Sequence, residues 1–124
     1  MKVKLLNKPT LIYSDWAIGE CYDKGCHTDP EKMISRINRV ANVNKHSSTI
    51  EFTTYIIEIN SYKLAIDKLS MKLTSKFIIQ CRISDDQLII KFNARVLQEI
   101  QLPDFIYSLI PEDHKFLIGE FNES

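Results

Sequence analysis

The sequence predicts an α+β fold, in which a small antiparallel or mixed sheet packs against helices. Its 124 residues are 44% hydrophobic and 26% charged, a composition typical of a compact globular domain. Segments rich in β-branched residues alternate with segments at helical spacing, and two strand-like segments are separated only by a short acidic turn. No linker or shift in composition divides the chain, so we expect residues 1–124 to form a single domain.

The first elements are expected to be a strand at residues 3–6 and a helix at residues 14–22 with Ser14 as its N-cap. A clearer helix start follows at Asp29-Pro30-Glu31, because Asp caps exposed amides, Pro suits the first helical position and an acid favours the helix dipole. This helix is predicted to run to about Asn42. Its apolar face comprises Met33, Ile34, Ile37, Val40 and Ala41.

Residues 49–59 are rich in β-branched and aromatic side chains and predict a strand. Apolar groups fall on both faces of its alternation, which indicates a central position in the sheet. Residues 61–71 return to helical spacing.

A β-hairpin is predicted next, with strands at residues 76–83 and 87–92 and a turn at Ser84-Asp85-Asp86, because small acidic side chains bond their own backbone in turns. A short helix is expected at residues 93–101, since Pro103 cannot continue it. The segment that begins at Pro111 predicts a last helix.

The charge balance limits the possible partners. Sixteen Lys and Arg match sixteen Asp and Glu, so the chain lacks the net positive charge with which proteins bind nucleic acid or anionic membranes. The start Met1-Lys2-Val3-Lys4-Leu5-Leu6 lacks a signal-peptide core, and no apolar run is long enough to span a bilayer. We expect a cytoplasmic protein that binds neither nucleic acid nor a membrane.

Three cysteines, Cys21, Cys26 and Cys81, fit a reducing compartment better than a disulfide framework. Cys21, Cys26 and His27 raise the alternative of a zinc site. Structural zinc sites use tighter ligand spacing and a second ligand pair, neither of which the sequence offers. We therefore expect no metal.

Several short segments share one resemblance. The chain carries Ala17-Ile18-Gly19-Glu20-Cys21-Tyr22, then His46-Ser47-Ser48-Thr49-Ile50-Glu51, then Asn93-Ala94-Arg95 with Leu97, and finally Ile110-Pro111-Glu112-Asp113-His114. In this order they resemble segments of the flavin-dependent thymidylate synthase family. The resemblance implies a reduced thymidylate synthase-complementing-like fold, FAD as a possible cofactor, and a homo-oligomer, either tetramer or dimer, with its site between subunits.

The resemblance also implies a set of site residues. His46, Ser47, Ser48, Glu51 and Asn93 would bind the cofactor. The substrate would be bound by Arg95, Arg82 and Lys72.

The chain departs from the family where the chemistry is concentrated. The family's Arg-His-Arg motif is represented by Met71-Lys72-Leu73, and Pro103 stands where a further arginine is expected. Forked guanidinium contacts to phosphate are bidentate and charge-assisted, so these replacements remove donors as well as charge. The pattern is that of a shortened, degenerate member, and we assign no catalytic residue.

Each retained residue also has a structural explanation. His46 lies near a helix end, and Ser47 and Ser48 suit a turn. Asn93 is a good helix cap. Arg95 falls in a first helical turn, where a cation is mildly unfavourable, so it calls for an anionic partner. Glu51 could face solvent, as could Arg36 and Arg39 on one helix face.

Three functions remain open. The first is a non-enzymatic pseudoenzyme that holds a nucleotide or flavin-like anion at a subunit interface and acts by sequestration or regulation. The second is a reduced enzyme that acts on a pyrimidine deoxynucleotide, with flavin supplying the redox chemistry. The third is a structural or interaction subunit without ligand. We favour the first.

Overall fold

The computed structural model of the protein describes residues 1–18 and 29–120. Its sheet has four strands in the order β1-β2-β4-β3, and every neighbouring pair is antiparallel. The strands are β1 (Lys2–Leu5), β2 (Thr54–Asn60), β3 (Ile79–Ser84) and β4 (Gln87–Asn93). The predicted α+β class is confirmed, and the sheet is antiparallel rather than mixed.

Helices and single helical turns make up the second layer. In the described ranges the α-helices are α1 (Ile12–Ala17), α2 (Pro30–Asn38), α3 (Lys63–Lys72), α4 (Ala94–Glu99) and α5 (Asp104–Tyr107). The α2 helix continues as a π-helical turn over Arg39–Val43, and 3₁₀ turns cover Thr49–Phe52 and Glu112–Leu117. None of the described helices is long and apolar enough to cross a membrane.

The core lies between one face of the sheet and the helices. Tyr55, Ile57 and Ile59 of β2 are fully buried, and they alternate with half-buried residues on the other face. The β2 strand lies between β1 and β4, which confirms its predicted central position. The buried side chains that pack with it include Ile37, Ile50, Ile66, Leu88, Ile90, Phe92, Leu97, Ile106 and Leu117.

The start of α2 is formed as predicted. The Asp29 carboxylate accepts a hydrogen bond from the Glu31 amide at 3.1 Å, and Pro30 occupies the first helical position. Ile37 and Ala41 on the predicted apolar face are buried. Local capping chemistry and periodicity were sufficient to define this element.

The hairpin is also confirmed. Cys81 pairs with Ile89, and the turn at Asp85-Asp86 is fixed by a hydrogen bond of 2.6 Å from Ser84 Oγ to Asp86 Oδ1. The first strand begins at Ile79 rather than at residue 76, because residues 76 and 77 lie in a turn.

The first helix differs from its prediction. It begins at Ile12, whose amide donates to Thr10 Oγ1 at 3.2 Å, so Ser14 is not the N-cap. Ser14 is instead buried within α1, and its hydroxyl lies 2.6 Å from Thr53 Oγ1. The hydroxyl is therefore used for a tertiary contact. The predicted end of this helix, at residue 22, and the Cys21, Cys26 and His27 group lie outside the described residues.

The start of the predicted central strand is also wrong. Residues 49–52 form a 3₁₀ turn, and β2 begins only at Thr54. The turn is closed by hydrogen bonds from the Glu51 amide to the Ser48 carbonyl and from the Thr53 amide to the Ile50 carbonyl. Ile50 is buried in the core, so tertiary packing overrides the strand preference of this apolar segment.

Arg36 does not lie on a solvated face. Its guanidinium forms two hydrogen bonds with the carboxylate of Asp15, whose side chain is completely buried in α1. The pair joins α1 to α2. The partner is 21 positions away in the sequence, so the pattern within α2 could not indicate it.

The helical segments in the last part of the described chain are shorter than predicted. Asn93 caps α4 as expected, but the unpredicted one-turn helix α5 follows at Asp104. The Tyr107 hydroxyl accepts a hydrogen bond from the Leu102 amide at 2.8 Å and closes this turn. The predicted last helix is a 3₁₀ turn that begins after Pro111.

Candidate functional site

The candidate site lies where the start of β2 meets the end of β4. Thr54 pairs with Asn93 in the sheet, and the Ala94 amide donates to the Thr53 carbonyl at 2.9 Å. These bonds fix the 3₁₀ turn that carries Glu51 beside the first turn of α4, which carries Arg95. Two of the segments that carry the resemblance are thus adjacent in space.

Arg95 is the centre of this arrangement. Its Nη1 donates to Glu51 Oε1 at 2.9 Å, and its Nε donates to Glu99 Oε1 at 2.9 Å. Hydrogen bonds to Glu99 and then to Glu51 raise the pKa of Arg95 above its ordinary value. The predicted need for an anionic partner is met within the chain by two carboxylates.

Asn93 is the N-cap of α4. Its side-chain oxygen accepts a hydrogen bond from the Val96 amide at 3.3 Å. This is the N-cap bond expected from the sequence. The side chain is half-buried beside the start of β2.

The loop with the three remaining cofactor candidates joins α2 to the 3₁₀ turn. His46 and Ser48 are exposed, whereas Ser47 is half-buried. The loop is anchored by hydrogen bonds from the His46 amide to the Val40 carbonyl at 2.9 Å and from Thr49 Oγ1 to the His46 carbonyl at 3.4 Å. Lys45, just before it, has a φ of 59°, a left-handed conformation that is uncommon for residues other than glycine.

Ser47 lines a cleft of about 730 Å³ between the end of α2, α4 and the segment after the last 3₁₀ turn. Its wall is held by hydrogen bonds from Gln98 Nε2 to Asn42 Oδ1 at 2.5 Å and from Asn42 Nδ2 to the Phe116 carbonyl at 2.9 Å. The full lining is Ala41, Asn42, Lys45, Ser47, Gln98, Glu99, Phe116, Ile118, Gly119 and Glu120.

Gly119 closes this wall because its backbone approaches α4 closely. Its amide donates to the Leu97 carbonyl at 2.8 Å. A Cβ at this position would lie 2.5 Å from the Gln98 carbonyl oxygen, which is closer than side chains can approach.

Arg82 is not part of this region. Arg82 pairs with Asp67 at 3.0 Å and donates to the Ser84 carbonyl at the hairpin turn. It lies opposite Leu88, whereas Asn93 is at the other end of β4. Lys72 is exposed at the last residue of α3. Within one copy of the chain, the described structure therefore does not bring Arg82 to Arg95.

Phe77, which contacts Arg95, and its neighbour Lys76 had no signal in the sequence. The Arg95 guanidinium carbon lies 5.2 Å from the centre of the Phe77 ring, and Lys76 Nζ lies 5.0 Å from the same centre. Both residues belong to the turn that the alternation had assigned to a strand. Their positions depend on how the turn packs against α4, and periodicity carries no information about that.

Comparison with solved structures identifies the fold. Two crystal structures of thymidylate synthase X from Helicobacter pylori, each described as a complex with FAD and dUMP, match with TM-scores of 0.68 and 0.65. Each match covers 95% of this chain, and the matches cover 97% and 98% of the respective solved chains at 16% identity. The fold is that of a flavin-dependent thymidylate synthase. No family model matches the sequence, and no curated protein matches it either.

Proposed function

We propose that this protein is a thymidylate synthase-like pseudoenzyme that binds a nucleotide or flavin-like anion at an oligomer interface, without methyl transfer, in a sequestration or regulatory role. One observation carries the proposal: the chain shares its fold, over 95% of its length, with chains solved with FAD and dUMP. FAD and dUMP both carry phosphate, so an anionic nucleotide is the ligand class to test.

The geometry around Arg95 supports an anion site. Arg95 presents a forked cation at the edge of the core, and Glu99 both binds Arg95 and lines the cleft that reaches Ser47. Glu99 therefore connects Arg95 to the cleft that Ser47 lines. The residues that the resemblance assigns to cofactor or substrate are His46, Ser47, Ser48, Glu51, Asn93, Arg95, Arg82 and Lys72.

The absence of methyl transfer is supported by the segment at the end of α3. Leu73 is 3% exposed and belongs to the core cluster. An arginine at this position would place a charge in the core, at a high cost in free energy. Met71 is 81% exposed and Lys72 is exposed, so this segment offers a single cation towards solvent. A lysine does not reproduce the forked geometry of a guanidinium.

An oligomer is supported by apolar side chains beside the site. Phe52 follows Glu51 and is 60% exposed, and Val43, the last residue of the π-helical turn after α2, is 68% exposed. Exposed apolar groups next to a candidate site are what a second subunit would cover. A chain this short also gains stability by sharing a core. We propose a homodimer or homotetramer.

The first experiment is native mass spectrometry of freshly purified protein, which reports subunit number and any retained ligand together. A thermal-shift panel of dUMP, FAD and FMN follows, because a ligand that binds only the folded state raises its melting temperature. We expect a shift with at least one of these anions, reduced in Arg95→Ala and retained in Lys68→Ala, which alters an exposed lysine of α3. A monomer without any shift contradicts the proposal.

One observation favours a structural subunit as the second candidate. The two carboxylates of Glu51 and Glu99 already satisfy two nitrogens of Arg95. If the panel gives no shift and the protein is still oligomeric, this role replaces ligand binding. A yellow protein with bound flavin and turnover would instead favour the reduced enzyme.

A further inference from the structure

The Phe77 ring is approached by two cations from different parts of the chain. Lys76 Nζ lies 5.0 Å from the ring centre, and the Arg95 guanidinium carbon lies 5.2 Å from it. A cation at this distance from an aromatic ring is attracted by its negative face. Both cations therefore contact the same ring.

The two cations differ in how they are neutralised. Arg95 is paired with Glu51 and Glu99, each at 2.9 Å. Within residues 1–18 and 29–120, no carboxylate lies within ion-pair distance of Lys76. Lys76 is exposed, and Phe77 is half-buried. Among the described residues, Lys76 thus has no carboxylate partner, whereas Arg95, which contacts the same ring, has two.

The ion pair between Arg95 and Glu51 is open to competition from another anion. The side chains are 30% and 34% exposed, and solvent screens an ion pair with this exposure, so the pair is weak. A phosphate group presents several acceptor oxygens and binds a guanidinium as a charge-assisted pair. A phosphate-bearing ligand that displaced the Glu51 carboxylate would bind next to the ring that Lys76 also contacts.

We propose that Lys76 and Phe77 complete an anion site around Arg95, and that the Glu51 carboxylate occupies this site until a phosphate-bearing ligand displaces it. The inference rests on the proposed function and adds two residues and an internal competitor to it. Arg95 supplies the forked donor, Lys76 supplies a second charge, and the Phe77 ring holds both cations in place. Glu99 remains on the Nε side of Arg95.

The test is a calorimetric titration with dUMP, with deoxyuridine as the comparison that lacks the phosphate. Lys76→Ala should weaken dUMP binding by about tenfold, because it removes one charge-assisted contact. Lys76→Arg should restore most of it, because it restores the charge. Lys68→Ala is the matched control, an exposed lysine at the other side of α3 from the core, and should leave affinity within about twofold.

Glu51→Gln should change the affinity for dUMP in the opposite direction. Gln keeps the size of the side chain but removes the competing charge, so dUMP should bind about threefold more tightly. Deoxyuridine should not respond to either substitution. Thermal unfolding of each variant verifies that the fold is retained.

The outcomes separate this inference from the proposed function. If the unmodified protein binds dUMP but Lys76→Ala behaves like Lys68→Ala, the inference fails and the proposed function stands. If Glu51→Gln binds no more tightly, Glu51 is not a competitor and the inference fails as stated. If neither the unmodified protein nor Glu51→Gln binds dUMP or FAD, both are overturned.

Discussion

Tyr55 and His114 are joined by a hydrogen bond inside the core, with 2.9 Å between Tyr55 Oη and His114 Nδ1. Tyr55 is fully buried in β2, and His114 is 3% exposed in the last 3₁₀ turn. Burial raises the pKa of Tyr55, so its hydroxyl stays protonated at all ordinary pH values. This pair attaches the last turn of the chain to the centre of the sheet.

The pair predicts a pH-dependent stability. Burial lowers the pKa of His114, an effect that Asp113 opposes only in part. Above about pH 6.5, the pKa of an unfolded histidine, the ring is neutral in both states and its contribution to stability is complete. As the pH falls below this value, the unfolded chain binds the proton first, so the folded state loses stability until the folded pKa is passed.

The measurement is the free energy of unfolding in urea between about pH 7.5 and 5. The unmodified protein should lose stability over this range, and His114→Gln should show a flatter profile. His46→Gln is the control, because His46 is exposed. A slope that survives in His114→Gln would assign the dependence to another group.

Removal of the Tyr55 hydroxyl should be costly. Tyr55→Phe leaves the buried His114 Nδ1 without its partner, and an unsatisfied buried group costs about 1 to 3 kcal/mol. Tyr62→Phe removes the same atom from a side chain that is 70% exposed and should change stability by less than about 0.5 kcal/mol. Equal unfolding free energies for the two variants would show that the core bond contributes nothing.

The ion pair between α1 and α2 makes a sharper prediction. Arg36→Ala leaves the Asp15 carboxylate, with a completely buried side chain, without this cation, and should destabilise the protein by about 3 kcal/mol. Lys63→Ala breaks a matched pair with Asp67 at the surface and should cost far less, because solvent screens an exposed pair. Urea unfolding of both variants gives the comparison, and similar costs would contradict the argument.

Asn93 allows capping to be separated from ligand binding. Asn93→Ala removes the bond to the Val96 amide and should cost about 1 kcal/mol of stability. Asn93→Asp caps equally well, but it adds a negative charge close to Arg95. We expect Asn93→Asp to keep its stability and to weaken dUMP binding, measured by urea unfolding and titration. Unchanged binding in Asn93→Asp would leave Asn93 as a cap only.

The sequence could predict the elements whose signals are local. The Asp29 cap with Pro30 was sufficient to predict the start of α2, and the acidic turn was sufficient to predict the hairpin. Capping and turn chemistry act within a few residues. The 3₁₀ turn at Thr49–Phe52 was missed, since Ile50 is drawn into the core by partners far along the chain.

Contacts between residues far apart in the sequence also determine the candidate site. The need of Arg95 for an anion followed from its place in a helical turn, but its partner Glu51 is 44 positions away. Phe77 reaches Arg95 only through the packing of a turn against α4. Local patterns therefore indicated single residues of the candidate site, whereas the set that surrounds Arg95 required the fold.

The last prediction is that this chain alone does not convert dUMP to thymidylate. Such a reaction depends on positioning the nucleotide against the flavin, and forked cations provide that positioning. Leu73 is in the core, Met71 carries no charge, and Pro103 is the N-cap of α5, so none of the three supplies a guanidinium. Each lost ionic contact costs roughly 2 kcal/mol, so three together should lower turnover by several powers of ten.

The assay supplies pure protein with dUMP, methylenetetrahydrofolate, FAD and NADPH, and follows tritium release from position 5 of the ring. We expect no release above a protein-free control, even where dUMP raises the melting temperature. Because binding and turnover are measured on the same preparation, an inactive protein that still binds dUMP supports the pseudoenzyme. Sustained release that is abolished in Arg95→Ala would instead establish the reduced enzyme, with Lys72 or a partner subunit replacing the missing arginines.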